Sequence, residues 1–178
     1  MYELGLFSYL NGGSEHLVEF LKTNPQLKEL HMSGRWFEDE LIDKIAATLP
    51  NLRSLSFPGF YAKATNWMKL TALKLEYFNP GMIGIWHDED VLAFVGGMPS
   101  LQRLTIPSLN RISKYYILRL FEALRNEFRH SESNRRLWVS QDDFLYFPLD
   151  ASDECTNEAI EKFVNEMFKQ ERRVKEHC

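Results

Sequence analysis

A short pattern of leucines recurs along this chain and constrains its fold more than any other feature. Residues 27–32, 52–57 and 101–106 each read Leu-x-x-Leu-x-apolar, and in each case a proline stands two residues before the first leucine. A weaker copy occupies 70–75, and shorter remnants lie at 4–6 and 137–139. Such recurrence every few tens of residues is typical of repeated structural units, which must be sought before any other fold is considered. The markers we assign to the six phrases are Leu4, Leu30, Leu55, Leu73, Leu104 and Leu137, which lie 26, 25, 18, 31 and 33 residues apart.

Each phrase predicts a strand, and most intervals between phrases predict a helix. Within a phrase the second leucine and the final apolar residue stand two positions apart with a polar residue between them, which places both on one face of a strand. Between phrases, apolar residues recur at helical spacing, as in 38–48 and 114–128. We expect Ser14 and Ser113 to cap two of these helices. The sequence therefore predicts an α/β fold with a parallel sheet covered by helices.

These phrases resemble the leucine-rich repeats of ribonuclease-inhibitor-like proteins and of the substrate-binding halves of F-box proteins. The likeness covers residues 1 to about 140, although the Asn or Cys expected after each strand is missing. The resemblance implies a leucine-rich-repeat solenoid with a parallel sheet inside and helices outside. It would comprise about six irregular units within 1–149.

The residues after 140 differ from the repeats. The apolar segment 144–149 matches no repeat, and we expect it to fold over the open end of the sheet. Residues 150–178 form the second predicted domain, an amphipathic capping helix that starts after Asp153 or Thr156. The alternative is that this helix docks on a partner. Its apolar stripe comprises Ile160, Phe163, Val164, Met167 and Phe168.

The residues between the leucines point away from the predicted core, so they form a candidate binding face. Loops that leave the strands add aromatic and arginine side chains, which commonly anchor protein interfaces. The alternatives are an ordinary solvated sheet face and rings that fill space beneath irregular loops. The predicted protein-binding residues are Glu29, His31, Arg35, Trp36, Phe60, Tyr61, Lys74, Tyr77, Arg103 and Trp138.

Composition excludes several classes of protein. A net charge of −4 gives no general reason to expect nucleic-acid binding, although residues 125–136 are rich in arginine. No apolar run reaches the ~18 residues that cross a membrane, and no signal peptide precedes the first strand. We therefore expect a cytoplasmic or nuclear protein with reduced thiols at Cys155 and Cys178.

No motif for nucleotide binding, nucleophilic catalysis or zinc hydrolysis occurs. We therefore predict a protein that is not an enzyme and that needs no cofactor or metal. The resemblance implies recognition of a target protein for an F-box ubiquitin ligase. A Skp-type adaptor would then bind an F-box outside these 178 residues, and because the array begins abruptly we expect the chain to be the C-terminal part of a larger protein. The alternatives are a stand-alone scaffold or inhibitor, and a GTPase-activating repeat protein that uses Arg35 or Arg111.

Overall fold

The computed structural model of the chain describes residues 3–7, 14–33, 40–57, 67–80, 88–106, 113–130, 135–141 and 145–176. These residues form an α/β fold in which helices alternate with mostly parallel strands. The chain divides into two compact units, Met1–Leu101 and Gln102–Cys178. The division into 1–149 and 150–178 stays a prediction.

In the first unit the described residues form four parallel strands, which pair in the order of the chain. Neighbouring helices contact one another, so they form a continuous layer. The elements are β1 (Glu3–Phe7), α1 (Ser14–Thr23), β2 (Glu29–Ser33), α2 (Glu40–Thr48), β3 (Ser54–Ser56), a 3-10 helix (Met68–Ala72), β4 (Tyr77–Asn79) and α3 (Asp88–Gly96).

The proline that introduces each leucine phrase lies in a turn that follows a helix. In all three cases the carbonyl before the proline accepts a hydrogen bond from the backbone N–H of the first leucine, three residues later. This places proline second in a β-turn, where its fixed φ is favoured. The bonds join Leu27 N to Asn24 O at 3.2 Å, Leu52 N to Leu49 O at 3.1 Å, and Leu101 N to Met98 O at 3.1 Å.

The apolar positions of the phrases form the core, as predicted. Side chains that the pattern placed inward are nearly inaccessible to solvent, and the apolar faces of α2 and α3 are buried as well. Burial of a leucine contributes about 1.5–3 kcal/mol, so these rows hold strands and helices together. The buried positions of the phrases are Leu27, Leu30, Met32, Leu52, Leu55, Phe57, Leu101 and Leu104.

The predicted strand at 70–75 is wrong. That stretch overlaps the 3-10 helix, where Leu73 N donates to Leu70 O at 2.9 Å, and the strand is instead β4. In β4, Phe78 lies opposite Leu55 of β3 and is fully buried. Its ring contacts Trp67 and Phe94, with centroids 4.8 and 5.0 Å away. Packing of these three rings fixes which residues form the strand.

The described residues of the second unit form three strands and two long helices. β5 pairs with β6 in parallel, and β7 pairs with β6 in the antiparallel direction. The segment that we expected to fold over the end of the sheet therefore extends the sheet as β7. The elements are β5 (Arg103–Ile106), α4 (Lys114–His130), β6 (Leu137–Gln141), β7 (Leu145–Leu149) and α5 (Asn157–Glu176).

Two of the predicted helix caps in this unit are confirmed. The Ser113 hydroxyl accepts a bond from Tyr116 N at 3.1 Å, and the Thr156 hydroxyl accepts one from Ala159 N at 3.1 Å. Each satisfies a backbone donor that the first helical turn leaves without a partner. Of the two residues considered for the start of the last helix, Thr156 is the cap.

Helix α5 packs within the second unit through its predicted apolar stripe. Ile160, Phe163, Val164 and Met167 are buried. The Phe163 ring lies between two others, 6.0 Å from Phe121 of α4 and 5.0 Å from Phe147 of β7. Offset stacking of this kind adds to the apolar burial. Among the helices of the described residues, none combines the length and apolarity that a membrane crossing requires.

Candidate functional site

The first unit presents a polar sheet face opposite its leucine rows. We name as the first-unit surface the six outward residues of β2, β3 and β4. The pairing places them in two rows across the strands. The rows are Glu29, Ser54 and Tyr77, and His31, Ser56 and Asn79.

Two of the predicted binding residues meet on this surface. The rings of His31 and Tyr77 approach to 6.4 Å between centroids at an interplanar angle of 34°. They belong to β2 and β4, so they approach each other across β3, whose outward residues Ser54 and Ser56 are small. Ser56 is buried there. Small side chains on the central strand thus leave room for an aromatic pair.

Lys74 lies before β4 rather than in a strand, which corrects its predicted position. It is exposed. Arg53 fixes this part of the backbone, since its Nη1 donates to the Lys74 carbonyl at 3.1 Å and its Nε lies 4.0 Å from a Glu76 carboxylate oxygen. An exposed ion pair contributes only about 0–1 kcal/mol, so its effect is to position the chain that enters β4.

The second unit presents a different face, rich in arginine and aromatic side chains. We name as the second-unit surface Arg103, Arg136, Trp138, Tyr146 and Pro148. Arg103, Trp138 and Pro148 form one row across β5, β6 and β7, while Tyr146 lies opposite Ser140. Trp138 and Tyr146 are 38% and 44% exposed.

Buried polar contacts support this face. The hydroxyls of Thr105 and Ser140 lie 3.1 Å apart and are almost inaccessible. The Arg136 guanidinium carbon lies 6.0 Å from the centroid of the Trp138 ring, within the range of a cation–π contact. Arg136 is thereby placed beside the exposed tryptophan.

Asp150 anchors Arg136 from the end of β7. Arg136 Nε donates to Asp150 Oδ2 at 2.8 Å, while the Ser152 backbone N–H and hydroxyl both donate to Oδ1. Burial tends to raise the pKa of Asp150, but the Ser152 hydrogen bonds and the positive charge of Arg136 outweigh it. The net result is a lowered pKa. The Asp150 side chain is 11% exposed, so its partners replace water.

Replacement of this carboxylate is expected to remove a pH-dependent part of the stability. A lowered pKa stabilises the folded state above the unfolded pKa of about 3.9, and this contribution is lost as the pH falls through the folded pKa. Asp150→Asn should cost about 1–3 kcal/mol at neutral pH and have little effect at the acid end. Urea unfolding at several pH values measures the difference between the two proteins. The control is Asp153→Asn, which changes an exposed carboxylate of the same loop. If the free energy of unfolding varied with pH in parallel for wild type and Asp150→Asn, the expectation would be wrong.

The sequence-predicted binding residues fall into three groups. Glu29, His31 and Tyr77 share the first-unit surface, and Lys74 lies beside it. Arg103 and Trp138 are neighbours on the second-unit surface. Arg35, Trp36, Phe60 and Tyr61, together with the alternative catalytic arginines Arg35 and Arg111, lie outside the described residues.

Sequence reasoning missed Tyr146 as a surface residue. Residues 145–149 are a continuous apolar run, so no alternation of polar and apolar residues marked which side chains of this strand face outward. Only the pairing of β7 with β6 places Tyr146 and Pro148 on one face.

Within the described ranges, no group of three or more His, Cys, Asp and Glu side chains is placed to hold a metal ion. Cys155 is buried and not in a disulfide. Burial raises the pKa of its thiol, which disfavours the reactive thiolate. Its surroundings are those of a structural cysteine.

No family model matches the sequence, and no curated protein matches it.

Proposed function

We propose that this chain is a non-enzymatic protein-recognition module of the leucine-rich-repeat type, which binds a target protein for an F-box ubiquitin ligase. The observation that carries the proposal is the exposure of Trp138 and Tyr146 beside Arg103 and Arg136 on the outward face of paired strands. Tryptophan, tyrosine and arginine contribute most of the binding energy at protein interfaces. A rigid sheet presents them with little loss of backbone freedom on binding.

The spacing of the paired strands supports the repeat part of the proposal. The positions that face one another across β1, β2, β3 and β4 are Leu4, Leu30, Leu55 and Phe78. They are 26, 25 and 23 residues apart, within the ~20–29 residues of a leucine-rich repeat. The interval of 18 residues between Leu55 and Leu73, which the leucines alone suggested, does not separate two strands, because the strand is β4.

Backbone hydrogen bonds at equivalent positions support the same conclusion. The Lys28 carbonyl accepts bonds from the backbone N–H groups of Arg53 and Ser54, at 2.7 and 3.0 Å. The Arg53 carbonyl accepts the same two bonds from Glu76 and Tyr77, at 2.7 and 3.0 Å. Consecutive strands thus enter the sheet in the same manner, as expected of successive units in a solenoid.

The link to ubiquitin ligation is tested with the full-length protein and a purified Skp-type adaptor. We expect a stable complex in size-exclusion chromatography, and ubiquitin transfer to a captured target when the remaining ligase subunits are added. A full-length protein that binds its target but no adaptor would support the stand-alone scaffold or inhibitor instead. Stimulated GTP hydrolysis by a bound GTPase, lost on Arg35→Ala, would favour the GTPase-activating alternative.

Target recognition should depend on the first-unit surface. Tyr77→Ala removes the ring that meets His31, and we expect the Kd for the target captured by the full-length protein to rise about tenfold, in the range of an interface hot spot. Surface plasmon resonance measures the change. The matched control is Tyr115→Ala, which removes a 74% exposed tyrosine from α4. Equal affinities for wild type and Tyr77→Ala would contradict a role for this surface.

A further inference from the structure

The second-unit surface adjoins an open cavity that shares one of its residues. This cavity has a volume of about 320 Å³ and is lined by Arg135, Arg136, Asp150, Ala151 and Ser152. Arg136 belongs to both, because it lines the cavity and also lies beside the Trp138 ring. Arg136 thus connects the exposed rings of the second-unit surface with the charged cavity, which we also call the recess.

The charges around the cavity favour an anionic ligand. Its lining includes Arg135 and Arg136, and Arg129 Nη2 donates to the Ser152 carbonyl at 3.4 Å nearby. The one carboxylate in the wall, Asp150, already accepts bonds from Arg136 and Ser152 and is almost inaccessible. Asp153 and Glu154 follow in the same loop, where both are exposed. Among the described residues that line the cavity, the accessible groups are thus cationic or neutral.

Arg135 is the less hydrated of the two arginines in the wall. Its guanidinium carbon lies 5.4 Å from the centroid of the Phe128 ring, and burial lowers the pKa of the group. A partly desolvated guanidinium gains more from a carboxylate than one in open water, because the surrounding dielectric constant is lower. Arginine also binds carboxylates in a planar, two-pronged geometry.

The part of the second-unit surface next to the recess suits an apolar side chain. It consists of Trp138, Tyr146 and Pro148, which lie on the outward face of the β6–β7 pair. Arg103 adds a further exposed cation beside Trp138. At the outward positions of the described parts of β5, β6 and β7, the large side chains are therefore aromatic or cationic.

We propose that the second-unit surface and its cavity bind an acidic segment of the target protein, with a carboxylate between Arg135 and Arg136 and a neighbouring apolar side chain on Trp138 and Tyr146. This inference rests on the proposed recognition function and specifies the chemistry of the target. Charge complementarity gives such contacts specificity and speeds association. Arginine and aromatic residues on a sheet also suit single-stranded nucleic acid, but that ligand needs a positive groove that follows its backbone. Arg135 and Arg136 instead share one small cavity with Asp150, which suits a single carboxylate.

A random-peptide display library selected on the full-length protein tests the proposal. We expect selected peptides to be enriched in Asp or Glu next to an apolar residue. Peptides from that pool should bind wild type about tenfold more tightly than Trp138→Ala or Arg103→Gln, and the affinity should fall as salt is raised. Arg103→Gln and Tyr146→Ala leave the bond between Arg136 and Asp150 in place, so they report on binding even if Arg136→Gln unfolds. Arg136→Lys, which keeps the charge, should bind more tightly than Arg136→Gln.

Several results would overturn this inference. They are a selected pool without acidic enrichment, the same pool from Trp138→Ala as from wild type, and tighter binding of oligouridylate than of any selected peptide. Loss of target capture in Tyr77→Ala together with full capture in Trp138→Ala would overturn the acidic-segment inference, while recognition through the first-unit surface would stand. Failure of both variants to weaken capture would contradict the recognition function itself.

Discussion

Phe78→Ala is expected to destabilise the first unit by about 3–5 kcal/mol. The side chain is fully buried, and its ring contacts Trp67 and Phe94, so truncation removes apolar burial and leaves a cavity between three elements. Urea unfolding followed by circular dichroism measures the loss. Tyr77→Ala is the matched control, because it changes the adjacent residue of β4 on the opposite face. A loss below about 1 kcal/mol for Phe78→Ala would mean that Phe78 does not hold the buried position of this strand.

Phe163→Ala is expected to have a similarly large effect on the second unit, about 3–5 kcal/mol. Phe163 lies between Phe121 and Phe147, so its loss removes two ring contacts that hold α5 against α4 and β7. Thermal unfolding and the rate of proteolysis within α5 measure the effect. Glu166→Ala, at an exposed position of the same helix, should change stability by less than about 0.5 kcal/mol.

The Phe163 result also separates the two predicted roles of the last helix. A capping helix stabilises the unit on which it packs, whereas a helix reserved for a partner does not. Unchanged unfolding of Phe163→Ala in the absence of any partner would therefore favour docking on another protein.

Much of the fold could be predicted because its main signals are local. A proline two residues before Leu27, Leu52 or Leu101 sets a turn whose geometry depends on only four residues. Alternation within each phrase then decides which side chains face the core. Ser113 and Thr156 act on the first turn of their own helices, so a few residues were sufficient to identify the first cap and to narrow the second to Asp153 or Thr156.

β4 could not be placed by the same reasoning. Residues 70–75 satisfy the leucine pattern better than 75–80, where Phe78 and Pro80 replace the second and third apolar positions. The choice depends on Trp67 and Phe94, which enclose Phe78 from elsewhere in the chain. A local pattern contains no information about such tertiary contacts, which override it.

The candidate surfaces were predictable in part for the same reason. Alternation places His31 and Trp138 outward, but whether His31 meets Tyr77 depends on the pairing of three strands. The network of Asp150 likewise requires β7 to run antiparallel to β6. The sequence of one segment alone does not show which other segment it pairs with or in which direction.

The direction of β7 determines where this chain can be lengthened. Only residues 142–144 separate β6 from β7, and so short a connection permits an antiparallel return, whereas a further parallel strand needs a crossover of about a dozen residues or more. β7 thus occupies the side of β6 on which another parallel strand would have to pair. A duplicated segment of α2 and β3 inserted after β3 would meet a strand of matching direction on each side. The same insertion after Gln141 would have to displace β7 and the Asp150 contacts that follow it, so growth of this protein by whole segments is confined to the chain before β6.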